Sequence, residues 1–360
     1  MKILFLCNGL GLGNSTRCHA IMQRLHAAGA RIEVVTSGNG LWYFSDKPEV
    51  MAVHEVQSLA YGSKDGVISI SRTLVSLAGM LAIIRRNAKV LGTVLDEFCP
   101  DIVVSDSEYN FLPVKRRNVP LVALNNADVV WHSYFRFKDR PKSIQAQFFA
   151  VEMLDYGFHR LVPDLVVSPS LNTEIPQSGG KILRVGPIVR EGYTPQPRQY
   201  PVERAAVMLS GSAFGTPVDF TRKDYPVKID VIGRGKPDGQ PSHPDVTFHG
   251  KVKDTYPLLQ AADLTVVNGG FSAVSEMFWM RKPLVVVPVP RHAEQWINAR
   301  NVEHLGVGLV ADQSNYEAVM LDALDKIDIF DAAYERLPSM TDGAEEAAKA
   351  IIEVADRTRL

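Results

Sequence analysis

Cysteine is nearly missing: Cys7, Cys18 and Cys99 are all that 360 residues contain. Their odd number and the lack of C-x-x-C spacing exclude a disulfide frame and a cysteine-built zinc site, so they read as reduced thiols in or near the core of a cytosolic protein. Charge of one sign is equally scarce. The 39 Lys and Arg nearly balance 40 Asp and Glu, a net of −1, which excludes the basic excess of a dedicated nucleic-acid binder. No apolar run approaches the ~20 residues that span a bilayer. The opening Met1–Leu6 stretch is too short for a secretory signal and meets Asn8-Gly9 at once. A cytoplasmic protein is expected. Peripheral membrane contact is left open, since residues 1–188 carry 20 basic against 16 acidic side chains.

What is present is a regular alternation of buried-strand and helix signals. Apolar runs at residues 2–7, 31–36, 101–105, 120–124 and 165–168 are continuous rather than alternating, as expected of parallel strands covered on both faces. Helical patterns at about 15–28 and 70–98 lie between them. Residues 186–201, with four prolines, break the pattern. A second series then starts at Ala205–Leu209 and continues at 228–232, 245–248, 264–267 and 284–287. The expectation is an α/β protein with two Rossmann-like, doubly wound parallel-sheet domains: 1–186, a linker 187–203, then 204–342, with a last helix at 343–360.

The most informative string is Val267-Asn268-Gly269-Gly270-Phe271-Ser272, followed by Glu276, by Lys282-Pro283-Leu284, and by His292-Ala293-Glu294-Gln295-Trp296-Ile297-Asn298. A strand runs into two glycines and a helix opens near Ser272. Glycines admit close approach of a bulky ligand, and the N–H groups of a helix start suit a phosphate. Glu276 lies one turn deeper and can accept from a sugar hydroxyl, and Glu294 and Gln295 add further polar groups. A phosphate cradle beside hydroxyl-binding side chains describes a sugar-nucleotide pocket.

This string resembles the donor-binding signature of GT-B glycosyltransferases, above all the MurG-like enzymes of family 28. The resemblance implies two domains facing a cleft, the last helix crossing back onto the first domain. It also implies an inverting, metal-independent transfer of a sugar from a UDP- or dTDP-sugar to a hydroxyl or amine. The donor would lie against Gly269, Gly270, Phe271, Ser272, Glu276, His292, Glu294 and Gln295, with Gly211 and Ser212 near the diphosphate and Val252 near the base. No cofactor is expected. The partners would be the nucleotide sugar and a small-molecule, glycan or lipid-linked acceptor.

The first glycine loop, Asn8-Gly9-Leu10-Gly11-Leu12-Gly13-Asn14-Ser15-Thr16-Arg17, fails the dinucleotide fingerprint. Asn14 and Thr16 stand where its third glycine would fall, and Glu33 lies inside the second strand rather than at its end. The loop resembles the G-x-G-x-G-H-x-x-R turn of the same relatives, with Arg17 matching and Asn14 replacing the histidine. Asparagine takes no proton at neutral pH. This departure counts most against a nucleotide-sugar hydrolase or epimerase, the first alternative. It also motivates the second, a non-catalytic sugar-nucleotide-binding partner. Gly11, Gly13, Asn14 and Arg17 are assigned to the acceptor side.

Asp106 and Glu108 follow a buried strand, at the edge where ligands bind in open parallel sheets. They are the candidate bases, Asp106 first and Glu108 as its substitute. Asn126 and Trp131 complete the acceptor side. Trp131 opens a stretch in which Tyr134, Phe135 and Phe137 alternate with Arg136, Lys138 and Arg140, read as an acceptor loop or, equally, as core packing with a basic face.

Overall fold

The computed structural model describes residues 1–58, 63–64, 67–68, 77–171, 175, 180–196, 198, 200–209, 218, 220–239 and 241–358. Contacts divide the chain into two units. Unit 1 comprises Met1–His132, Phe149–Glu191 and Thr341–Leu360, and unit 2 comprises Ser133–Phe148 and Gly192–Met340.

Unit 1 carries strands β1 (Lys2–Cys7), β2 (Arg31–Thr36), β3 (Val50–Glu55), a small hairpin of β4 (Ser63–Lys64) and β5 (Val67–Ile68), then β6 (Ile102–Asp106), β7 (Leu121–Leu124), β8 (Leu165–Pro169) and β9 (Ile182–Val185). Seven of them form one sheet in the order β3-β2-β1-β6-β7-β8-β9, every pair parallel. Helix α1 (Leu12–Ala27) starts earlier than the sequence pattern indicates, at the residue after Gly11. Then come α2 (Asn39–Phe44), α3 (Leu77–Phe98), the single turn α4 (Leu112–Lys115) and α5 (Ala127–Arg136). The part of the 70–98 helical pattern ahead of Leu77 lies outside the described residues. Next are α6 (Lys142–Gln147), a π-helical turn at Phe148–Glu152, and α7 (Met153–Leu161). Chain order therefore takes part of α5 and all of α6 into unit 2.

Unit 2 holds β10 (Arg204–Met208), β11 (Lys228–Val231), β12 (Val246–Phe248), β13 (Leu264–Asn268), β14 (Leu284–Val287) and β15 (Gly308–Val310), in the order β12-β11-β10-β13-β14-β15. All pairs are again parallel. Its helices are α8 (Tyr256–Ala261), α9 (Phe271–Trp279), α10 (Ala293–His304), α11 (Tyr316–Leu324) and α12 (Ile327–Arg336). The last helix, α13 (Gly343–Arg357), belongs to unit 1. Its Ala344, Ala347, Ala348, Ile351 and Ala355 are buried in one core with Ile3, Phe5, Ile21 and Leu25. Asp342 caps it, accepting from the N–H groups of Ala344 and Glu345.

Both sheets reverse strand order beside their first strand, between β1 and β6 and between β10 and β13. A doubly wound sheet leaves a crevice at that reversal, because the flanking connections run to opposite faces. The register puts Cys7 opposite Asp106 and Met208 opposite Val267, so the loops after these residues occupy the ligand edges. The thiols divide: Cys7 and Cys18 are free and buried, whereas Cys99, expected in or near the core, is exposed. Burial pushes the Cys18 thiol well above its ordinary range, so it stays protonated.

Lys282 is buried in unit 2, its Nζ donating to the carbonyls of Gln260 and Ala262, both at 2.7 Å. Burial pushes its pKa down to about 8. An unfolded chain would hold this proton up to ~10.4. Between those limits the unfolded state binds more protons, so the lysine's contribution to stability rises with pH across that window. In urea unfolding between pH 7.5 and 10, wild type should gain stability relative to Lys282→Met. A difference between the two proteins that does not change with pH would contradict this assignment.

Candidate functional site

The carboxyl edge of unit 2 is organised by β13 and the two glycines after it. Asn268 donates to the Val287 carbonyl at 2.9 Å, tying the ends of β13 and β14 together. The glycines serve different ends. A Cβ on Gly269 would collide with the Gln295 carbonyl, so this glycine exists for close packing of α10. Asn298 completes the joint by donating to the Gly269 carbonyl at 2.9 Å. Around Gly270 an added Cβ would meet nothing within 4 Å. Gly270 is the N-cap of α9 and brings no capping side chain, so the helix start presents its N–H groups beside open space.

Glu276, 5% exposed, lies one turn into α9, with Phe271 and Ser272 also buried. Gln295 accepts from the Val289 N–H at 3.0 Å, closing the turn between β14 and α10. Glu294 and His292 are half-buried at the start of α10. Burial pushes the His292 imidazole below its ordinary range, with Glu294 pulling weakly the other way, so the ring is neutral at pH 7. Its Nδ1 is buried without a hydrogen-bond partner. Gly211 and Ser212 lie outside the described residues.

Two groups here escaped the sequence reading. Ser275 is 1% exposed, yet its Oγ has no hydrogen-bond partner. It stands directly before Glu276, which was the available signal. Arg234 follows β11 in a glycine-flanked loop, where Gly233 donates to the Gly250 carbonyl at 2.8 Å and Gly250 to the Arg234 carbonyl at 3.0 Å. Val252 is half-buried just beyond this pair of turns. Asp230 holds His249 in place at 2.7 Å. Arg234 puts a half-buried cation at the same edge as the glycine turn.

In unit 1 the first glycine loop packs inward. A Cβ on Gly9 would strike the Ser37 carbonyl, while Gly11, the N-cap of α1, is open. Gly13 and Asn14 fall in the first turn of α1 rather than in the loop, and Asn14 reaches the Asn8 carbonyl at 3.5 Å. Glu33, set aside as a ribose ligand, pairs with His54 at 2.7 Å.

Asp106, the first candidate base, is held in an ion pair. Its side chain is fully buried and grips Arg17 through two bonds, Nε at 2.8 Å and Nη2 at 2.6 Å. Arg17 is itself buried. Both side chains are thus bonded to each other inside the fold, a geometry that suits a structural pair. Glu108 keeps its candidacy. It is half-buried, and desolvation pushes its carboxyl above the ordinary range, although the N–H groups of Asn110 and Tyr109 oppose the shift. Its Oε1 has no hydrogen-bond partner. Asn126, 5% exposed, has an equally unpartnered Nδ2. The loops bearing these two residues converge on Asp155, which accepts from Tyr109 at 2.6 Å and from Asn125 at 2.9 Å.

The aromatic stretch from Trp131 divides between core and surface. Trp131 sits in helix α5 and stacks on Tyr156, centroids 5.0 Å apart. Tyr134 stacks on Phe148 at 3.5 Å and Phe137 packs against Trp296, so these two are core, whereas Phe135 is 49% exposed. A cavity of about 230 Å³ lined by Lys2, Arg31, Glu33, His54 and Phe98 lies by the first residues of β1 and β2, away from the ligand edge.

Two reversal-order parallel sheets and a glycine-opened helix in the second define the fold of GT-B glycosyltransferases. The family model of glycosyl transferase family 1 matches residues 1–327, and the chain belongs to this family of glycosyltransferases. An uncharacterized glycosyltransferase of Methanosarcina mazei is 27% identical over 379 residues, covering 95% of this chain and 96% of the relative. The UDP-N-acetylglucosamine–N-acetylmuramyl-(pentapeptide) pyrophosphoryl-undecaprenol N-acetylglucosamine transferase of Deinococcus radiodurans is 33% identical over 98 residues, 27% of this chain and 24% of that one. Among solved structures, MurG of Acinetobacter baumannii shares the fold at a TM-score of 0.61 and 13% identity, covering 98% of this chain and 99% of its own. The spinosyn forosaminyltransferase SpnP does so at 0.67 and 13%, covering 99% of both.

Replacing Arg17 with Met should lower the unfolding free energy by about 3–5 kcal/mol, because Asp106 is then buried and unpaired. The double replacement Arg17→Met with Asp106→Leu should recover much of that loss in chemical denaturation. If Arg17→Met unfolds like wild type, the pair is not structural.

Proposed function

We propose that the chain is an inverting, metal-independent glycosyltransferase that moves a sugar from a UDP- or dTDP-sugar to an acceptor hydroxyl or amine. One observation carries the reading: an open, uncapped helix start at Gly270 with the Glu276 carboxylate buried one turn deeper. The diphosphate would lie at the first N–H groups of α9 near Ser272 and Ser275, its charge met by Arg234. Glu276 would hold the ribose and Glu294 the transferred sugar. A cation and a helix dipole then supply the stabilisation that other transferases draw from a metal.

In unit 1, Glu108 is the preferred base, and Asn126 can donate to the acceptor oxygen. The acceptor oxygen or nitrogen attacks the anomeric carbon as the bond to the β-phosphate oxygen breaks. Its proton passes to Glu108, and the nucleoside diphosphate leaves with the electron pair. A single displacement needs one base and inverts the anomeric centre. Incubation of a panel of nucleotide sugars without acceptor separates this reading from hydrolysis, which would release free sugar.

Glu276→Ala should weaken UDP or dTDP binding roughly 10- to 100-fold in calorimetry, the range for a lost hydrogen bond to a charged group. Unchanged affinity would remove Glu276 from the site. Glu108 acts as base only when deprotonated, and its raised pKa displaces the acidic limb of the pH–rate profile upward. In Glu108→Gln that limb should vanish and kcat fall about 10²–10⁴-fold; an unaltered limb would point to a different base.

A further inference from the structure

The segment that the chain contributes to unit 2 ahead of the main part of that unit, Ser133–Phe148, runs along one face of α10. Gln147 Oε1 accepts from the Ala293 N–H at 2.9 Å. Phe137 packs on Trp296 with centroids 5.9 Å apart. Asp139 pairs with Arg300 at 2.9 Å, Asn301 donates to Ser133 at 3.4 Å, and Arg136 donates to His304 Nε2 at 2.8 Å. Of the contacted positions, 293, 296, 300 and 304 are spaced three or four apart, which places them on a single helical stripe with Asn301 at its edge. Gln295 and Asn298 lie off this stripe and hold the glycine turn. Helix α10 is therefore gripped on two sides, by the donor turn and by this clasp.

Ala293 carries the first N–H of α10, a group with no partner inside the helix. The helix brings no capping side chain of its own, since His292 occupies the N-cap and makes no side-chain cap bond. Gln147 supplies the missing acceptor from 146 residues away, and it is itself buried. The next two residues after Ala293 are Glu294 and Gln295. We propose that Gln147 is a positioning residue of the donor site: by fixing the first turn of α10 it sets where Glu294 meets the transferred sugar. This rests on the assignment of Glu294 to that sugar. The diphosphate and ribose contacts proposed above lie on α9 and Arg234 rather than on α10, so Gln147 governs the sugar's share of the affinity and leaves the nucleotide's share alone.

The test compares UDP or dTDP with the nucleotide sugar that most stabilises wild type in a thermal-shift panel, using calorimetry on the full chain. Gln147→Met keeps volume and removes the acceptor. It should leave nucleotide affinity unchanged while the extra affinity due to the sugar falls about tenfold, the loss expected for one oriented hydrogen bond. Gln147→Glu retains an acceptor for the same N–H and should restore wild-type behaviour. Equal weakening of nucleotide and nucleotide sugar, or no selective loss in Gln147→Met, overturns the proposal. Glu294→Ala is the control: if it keeps the sugar's share, the donor reading itself fails, whereas loss in Glu294→Ala without loss in Gln147→Met discards only Gln147. Should Gln147→Met not fold, Gln147→Asn, one methylene too short to reach Ala293, tests the same contact.

Discussion

The close approach of α10 to the backbone at Gly269 is the constraint on which unit 2 depends. No side chain fits at residue 269, because the Gln295 carbonyl occupies the space a Cβ would need. With that space filled by backbone, Asn298 can bond the Gly269 carbonyl and Gln295 can bond the N–H of Val289. Three consequences follow from one missing Cβ. The carbonyl of residue 269 is satisfied, the chain leaves β13 in a fixed direction, and α9 begins beside open space at Gly270. Dense packing leaves no slack to absorb an extra methyl. Had both glycines been there for ligand approach, the turn would have had no anchor.

The parallel architecture was legible because parallel strands covered on both faces read as continuous apolar runs. Lys2–Cys7, Arg31–Thr36 and Leu284–Val287 show this, and each forms a strand over the residues expected. The strands that escaped notice are edge or near-edge ones. Val50–Glu55 is mostly half-buried, and Gly308–Val310 is three residues long. Ile182–Val185 contains Arg184, whose buried guanidinium pairs with Asp128. Such a charge breaks the apolar run and makes sense only once a partner 56 positions away is known. Pattern reading sees neighbours in sequence, and these strands owe their stability to neighbours in space.

The same distinction separates what was legible in the site from what was not. The β13-turn-α9 string could be read because its parts are local: strand, glycines, helix start and acid within ten residues. The unit 1 candidates sit at or after the ends of several strands, and there the sequence shows neither burial nor partner. Arg17 and Asp106 are 89 positions apart, and only the pairing of β1 with β6 brings them together. The aromatic run at 131–137 alternates in composition like an exposed binding loop. In the fold, Tyr134 of α5 and Phe137 just after it pack on Phe148 and Trp296.

Asp106 and Glu108, two residues apart, show how position divides the labour of two like groups. Asp106 ends β6 and points into the sheet's interior, where an isolated carboxylate would be intolerable. Arg17 meets it with two bonds, and the pair fastens α1 to the sheet just beneath the first glycine loop. Glu108 comes after Ser107, whose backbone adopts φ 53 and redirects the chain. It therefore lands in a partly desolvated place with backbone N–H groups for company and no cation among the causes of its shift. Desolvation without a paired charge is what raises a carboxyl above its ordinary range. A left-handed residue between two acids thus sends one into an ion pair and leaves the other partly desolvated without a paired cation.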